Sequence, residues 1–176
     1  MGDSRQPVLV RTGASADTGK LAALAERSFR EAWSGCNDPA DMDAYCAANF
    51  CPELVRAEFD RFDVRYLLAQ ADGELAGYLR MTSGAAPACI RAHSPVEISR
   101  LYVLQQWHGR GVAPALMRAG LDAALGNGHD VAWLAVWQRA ARALAFYRKW
   151  KFEVVGMTTF RLGSDLQDDF VMQRTL

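Results

Sequence analysis

The 176-residue chain predicts a single α/β (α+β) domain, residues 1–176, built on a mixed sheet. Two patterns carry this expectation. After residue 95 strand and helix alternate, which calls for a strand–helix–strand unit and hence a parallel pair. Before it, Arg65 to Ala69 and Leu75 to Met81, joined by Ala71-Asp72-Gly73, read as a hairpin, so the sheet cannot be all parallel. A third feature sits inside the alternating half: Gln106-Trp107-His108-Gly109-Arg110-Gly111-Val112-Ala113, where an apolar strand gives way to a helix.

Taken in order, Val8 to Val10 reads as a first strand. Asp17 to Trp33 reads as an amphipathic helix with Leu21, Leu24 and Phe29 on one side. Asp38-Pro39-Ala40-Asp41 starts a second helical region running to about Phe59. The hairpin follows, and then a loop from Thr82 to Ser94, punctuated by Gly84 and Pro87 with Pro95 just beyond it. Strand Val96 to Leu104, helix Val112 to Leu125, strand Val131 to Trp137 and helix Arg139 to Trp150 make the alternating unit. Phe152 to Met157 and Phe170 to Arg174 complete the pattern as strands.

Two glycines two residues apart at a strand-to-helix junction allow backbone N–H groups to approach an anion with no Cβ in the way. The helix behind them leaves its first amides unpaired and carries a partial positive charge, so the junction is a candidate phosphate site. The chain has neither a second glycine pair completing a dinucleotide fingerprint nor a Gly-Lys-Ser/Thr sequence. Pro114 lacks an N–H and fits only the first helical turn, so the contributing amides end at Ala113.

Gln106-x-x-Gly109-x-Gly111-x-Ala113 resembles the Gln/Arg-x-x-Gly-x-Gly/Ala signature of the GNAT superfamily of acyl-CoA-dependent N-acetyltransferases. A second block, strand Trp133-Leu134-x-Val136-Trp137 followed by Arg142-Ala143-x-x-Phe146-Tyr147-x-Lys149-x-x-Phe152, is similar to that family's downstream strand and Asn-x-x-Ala-x-x-Phe-Tyr-x-Lys-x-Gly-Phe helix. The outer segments resemble a bacterial subgroup, the Pai-type polyamine acetyltransferases. They are Ser28-Phe29-x-Glu31-Ala32-Trp33 with Asn37, Asp38 and Asp41, Glu97-Ile98-x-Arg100-Leu101-Tyr102-Val103, and the tail from Phe160 to Asp169. Two positions depart from the family pattern: Ala140 stands where Asn is expected and Lys151 where Gly is expected. Lys151 leads us to expect a backbone that need not take positive φ there, and without the Asn amide neither the family's local geometry nor its coenzyme affinity carries over directly.

The resemblance implies a mostly antiparallel sheet with a splayed parallel pair, helices on both faces, and an enzyme that transfers acetyl from acetyl-CoA directly to a primary amine. It places the coenzyme on Leu101, Tyr102, Val103, Gln106, His108, Gly109, Arg110, Gly111, Val112, Ala113 and Tyr147. Amides near Val103 would polarise the thioester carbonyl. Tyr147 matches the family's proton donor to the coenzyme sulfur, the alternative being that Phe146-Tyr147 only packs the helix. Glu97 matches a position where some members carry a general base. It reads equally as a partner for Arg100 or another cation, and a water chain is an alternative base. A base is required because an alkyl amine has a pKa near 10.4. For a polyamine acceptor such as spermidine or spermine, Glu31, Trp33 and Asp38 are the expected binding residues. Asp41, Asp43, Asp165 and Asp169 are further acidic candidates, and Trp107, Trp133 and Trp137 are candidate channel walls. The same chemistry on an amino acid, an antibiotic amine or a protein N-terminus is the alternative acceptor class. A non-catalytic acyl-CoA-binding regulator is the alternative outside enzymes.

Composition narrows the field. A formal net charge of zero with no basic cluster among aromatics argues against nucleic acid. No apolar stretch approaches the roughly 20 residues of a membrane span. Met1 to Thr12 has no hydrophobic signal core, so a cytoplasmic location is expected. Cys36, Cys46, Cys51 and Cys89 lack paired zinc spacing and are expected to be reduced structural thiols. His93, His108 and His129 are scattered, so no metal is expected, and His108 reads as a loop residue beside the phosphates rather than a base. A homodimer is possible by resemblance, with no interface to assign.

Overall fold

The computed structural model describes residues 7–176; residues 1–6, half of the segment read above for a targeting signal, lie outside the described residues. Seven strands form one sheet in the order β1-β2-β3-β4-β5-β7-β6. They are β1 (Leu9–Thr12), β2 (Val64–Ala71), β3 (Glu74–Ser83), β4 (Pro95–Val103), β5 (Val131–Trp137), β6 (Glu153–Leu162) and β7 (Asp165–Thr175). The β4–β5 pair is parallel and every other neighbour is antiparallel. The helices are α1 (Thr18–Trp33), α2 (Pro39–Asn49), α3 (Pro52–Phe59), α4 (Val112–Gly126) and α5 (Ala141–Lys149).

Local chemistry explains most boundaries. In the β2–β3 hairpin Asp72 and Gly73 both take positive φ, the requirement of a tight type I′ turn that matches strand twist. Asp38 caps α2 by accepting from the amides of Ala40 and Asp41, with Pro39 in the first turn where a missing N–H costs nothing. The single helical region expected from Asp38 to Phe59 is two helices. Pro52 holds Cys51 extended and opens α3 afresh.

Helices α1 and α4 cover opposite faces of the sheet. On β3, Leu79 lies against Gly120 of α4, while Tyr78 stacks on Tyr102, whose hydroxyl receives Trp33 Nε1 from α1. Leu21, Leu24 and Phe29 are buried on the sheet-facing side of α1, each worth roughly 1.5–3 kcal/mol of transfer free energy.

The carboxyl-terminal strands are longer than the pattern suggested, because polar Asp168, Asp169 and Gln167 are inside the ladder. Gly163, at positive φ, turns β6 into β7, and Asp41 of α2 grips the turn through Ser164 N and Oγ at 3.0 and 2.9 Å.

Lys151 corrects the sequence reading: its φ is +65°, in the left-handed region. It ends α5 in a Schellman turn, with Phe152 N donating to Tyr147 O at 3.1 Å and Lys151 N to Arg148 O at 3.0 Å. The turn is set by these two bonds and by burial of Phe152, which outweigh the strain on a side-chain-bearing residue. Lys151→Gly is therefore expected to raise stability by about 1 kcal/mol in urea unfolding. A loss would show that the turn is not under strain.

Candidate active site

Strands β4 and β5 are joined for only three residue pairs, Pro95–Val131, Val96–Ala132 and Glu97–Trp133. Beyond Glu97 they part, although each keeps its outer neighbour, β3 and β7 respectively. A bulge at Ser99, which has no opposite residue on β3, accompanies the separation. The gap opens into a cavity of about 260 Å³. Its walls are β4 from Glu97 to Tyr102, β5 from Ala135 to Trp137, Ala143 and Tyr147 of α5, Phe29 and Trp33 of α1, and Phe160, Leu162, Gln167 and Asp169 of the final hairpin.

At one end of the gap lies the glycine loop. Gly109 and Gly111 have φ of +75° and +85°, and Gly111 is the N-cap of α4. The amides of Trp107, His108 and Arg110 are spent on carbonyls of the loop itself. Those of Gly109, Gly111, Val112 and Ala113 have no acceptor among the described residues. With Pro114 next, this leaves a set of free donors at a helix N-terminus, the chemistry that holds phosphate. The side chains around them are less free. Gln106 Oε1 accepts from Arg27 at 3.3 Å, and Arg110 lies over the Trp107 ring at 5.2 Å. His108 Nε2 meets Val103 O at 2.9 Å and its Nδ1 meets Arg142 at 3.1 Å. Through these two contacts His108 ties the end of β4 to α5.

The candidate chemical groups sort clearly. Glu97 lines the cavity and has no hydrogen bond or ion pair among the described residues. Arg100 and Arg80 pair instead with Glu58. Burial raises the Glu97 pKa above the usual carboxylate range against the opposing pull of Arg80 and Arg100. Tyr147 lines the same cavity, its pKa pushed up to about 12 by burial, so it stays protonated at neutral pH. Its ring meets Phe146 and Phe152 edge-on, so packing and access to the cavity coexist. Trp33 and Trp137 form one wall, edge to face at 5.8 Å. Trp107 and Trp133 are buried away from it.

The expected acceptor carboxylates mostly serve the scaffold. Glu31 receives Gln105 N at 2.7 Å and Arg27 Nε at 2.8 Å, which outweigh burial and lower its pKa. It anchors the start of the glycine-bearing loop on α1. Asp38 caps α2, Asp41 holds the β6–β7 turn, and Asp43 pairs with Arg30. Asp165 accepts from Gln167 Nε2, which also donates to Asn37. Asp169 differs: it is buried in the cavity wall, its Oδ1 has no partner, and burial followed by Asp168 raises its pKa to about 6. Sequence reading singled out neither Glu58 nor Arg80, since the cluster joins α3, β3 and β4 across distant segments.

The acetyltransferase (GNAT) family model matches residues 20–152. An N-acetyltransferase of Mycobacterium tuberculosis, named as uncharacterized, is 37% identical over 164 residues, covering 91% of this chain and 98% of that protein. The chain belongs to the GNAT acetyltransferase family. The fold agrees with solved structures of other GNAT proteins. The PaiA N-acetyltransferase from Thermoplasma acidophilum in complex with coenzyme A superposes with a TM-score of 0.78 at 19% identity, covering 97% of this chain and all of that one. The structure of yncA from Salmonella typhimurium with its cofactor acetyl-CoA gives 0.67 at 19% identity, covering 97% and 95%. This acetyltransferase is accordingly an acetyl-CoA-dependent acyltransferase. No helix of the described residues is long and apolar enough to cross a membrane, and no group of His, Cys, Asp and Glu among them is arranged to hold a metal.

Holding Asp169 protonated is a cost that appears only once the unfolded chain ionises at that position. With a folded pKa near 6 against about 3.9 unfolded, the native state binds the extra proton, so stability falls as pH rises from about 4 to 6. Asp169→Asn removes this loss, and the difference between variant and parent should grow by on the order of 2 kcal/mol across that window. Parallel stability curves would mean that Asp169 is solvated.

Proposed function

We propose that the cleft between β4 and β5 acetylates the primary amine of a small molecule, with Glu97 as base and Tyr147 as acid. The observation that carries this is the placement of an uncommitted, half-buried carboxylate and a protonated phenol on one cavity, beside the free amides of the glycine loop. Acetyl-CoA, when bound, supplies a thioester whose carbon–sulfur bond is exchanged for a carbon–nitrogen bond. Gly109, Gly111, Val112 and Ala113 fit its pyrophosphate, and the edge of β4 that β5 leaves unpaired from Leu101 to Val103 offers backbone groups along its arm, apart from Val103 O, which meets His108 Nε2. Glu97 takes the proton that the amine must shed, a task suited to a carboxylate raised toward neutrality. Tyr147 holds the proton that a departing thiolate needs. The Schellman turn at Lys151 fixes Tyr147 through its carbonyl.

The two departures from the family pattern leave this machinery in place. Lys151 adopts the conformation a glycine would, and at Ala140 a tight backbone turn, Ala141 N to Arg139 O at 2.9 Å, starts α5 without a side-chain cap. The regulator reading thereby loses its support. Five of the carboxylates expected for a polyamine, Glu31, Asp38, Asp41, Asp43 and Asp165, are engaged by protein partners, while the amino acid reading gains from charged groups in the cavity wall.

Release of free thiol from acetyl-CoA, measured across polyamines, amino acids and amine antibiotics, tests the assignment. Tyr147→Phe is expected to lower kcat about 10²-fold with coenzyme affinity unchanged. For the wild type, kcat/KM should rise with pH through a step above the usual carboxylate range as Glu97 loses its proton, and Glu97→Gln should remove that step. Full activity of both variants would transfer the chemistry to other groups.

A further inference from the structure

Resting on that acetyl-transfer reading, we infer that the acceptor is a small amino carboxylate with an apolar side chain, its ammonium received by Asp169 and its carboxylate by Arg100. Both side chains line the cavity, and both carry a buried polar atom without a hydrogen-bond partner: Asp169 Oδ1 and Arg100 Nη1. Such orphans are costly inside a protein, and in a cavity wall a charged ligand relieves the cost by drawing the side chain toward it. Asp169 is 7% exposed on β7, opposite Trp137 in the ladder.

The cation is undercompensated for a definite reason. Glu58 serves two arginines and a phenol: Arg80 Nη2 at 2.8 Å, the Tyr66 hydroxyl, and Arg100 Nη1 at 3.6 Å, which is too long for a hydrogen bond. Arg80 spends Nη1 on Thr82 and Ser99, at 2.8 Å each. One carboxylate between two guanidiniums leaves one positive charge over. Glu97 is drawn to those cations, yet burial keeps its pKa raised. Arg100 also lies over the Phe50 ring at 5.0 Å, a contact that holds it in the wall.

The same cavity is lined by the aromatic rings of Phe29, Trp33, Tyr45, Trp137 and Phe160. A molecule with an amine, a carboxylate and an apolar body matches each part of this lining. A polyamine would bring a second cation toward Arg100. A polypeptide N-terminus would bring the amine without an adjacent carboxylate for Arg100.

Matched pairs separate the groups: phenylalanine against phenethylamine, with spermidine as the dication-or-more control, all with acetyl-CoA. The kcat/KM for phenylalanine should exceed that for phenethylamine by about tenfold or more, and Arg100→Gln should collapse this ratio, with Arg100→Lys restoring part of it. Phenylalanine binding to the coenzyme-loaded protein, measured by calorimetry, should weaken in Arg100→Gln and in Asp169→Asn. Preference for spermidine or phenethylamine, or an Arg100→Gln effect equal on both partners of the pair, overturns the inference while leaving acetyl transfer intact. Arg100-dependent phenylalanine binding with no thiol release from any amine upholds the subsite and refutes the transfer reading. Neither binding nor release refutes both.

Discussion

The parting of β4 from β5 after Glu97 and Trp133 is the constraint on which the rest of the molecule depends. A parallel pair that continued to Val103 and Trp137 would satisfy its own backbone and close the cavity. The bulge at Ser99 accompanies the break, and each strand stays bound to its outer neighbour, so the gap is held open by two intact antiparallel ladders. Unpaired backbone groups in a protein interior are costly unless something bonds to them. The gap therefore stores binding capacity along β4, and the glycine loop extends it with free amides at the start of α4.

Electrostatics then divides the carboxylates into two populations. Glu31, Asp38, Asp41 and Asp43 lie outside the cavity lining and are each held by amides, hydroxyls or guanidiniums, which keep loops and helices in register. Glu97 and Asp169 lie inside, without such partners, and burial favours their neutral forms. The first population holds the scaffold around the site, and the second stands in the cavity wall without protein partners. Arg100 belongs with the second, because Glu58 is already engaged by Arg80 and Tyr66.

Much of this was legible in the sequence. The hairpin turn at Asp72-Gly73, the capped start of α2 and the glycine loop are local events, encoded in adjacent residues. The family signature added the splayed pair and the pairing of Glu97 with Tyr147 on one cleft. What stayed hidden is long-range. Whether an exposed-looking carboxylate is a ligand or a clamp depends on partners such as Gln105 for Glu31 or Ser164 for Asp41, up to 123 positions away. The left-handed turn at Lys151 ran against residue preference because Phe152 had to return to the core beside Tyr147. The length of β6 and β7 was masked by their polar residues, two of which face the cavity.

The most direct measurement is amide hydrogen exchange with and without coenzyme A. The account requires protection on binding to concentrate at Gly109, Gly111, Val112 and Ala113 and along β4 from Leu101 to Val103. Unchanged exchange in those amides, with protection appearing instead at another face such as the α1–α2 groove around Glu26 and Cys46, would contradict it.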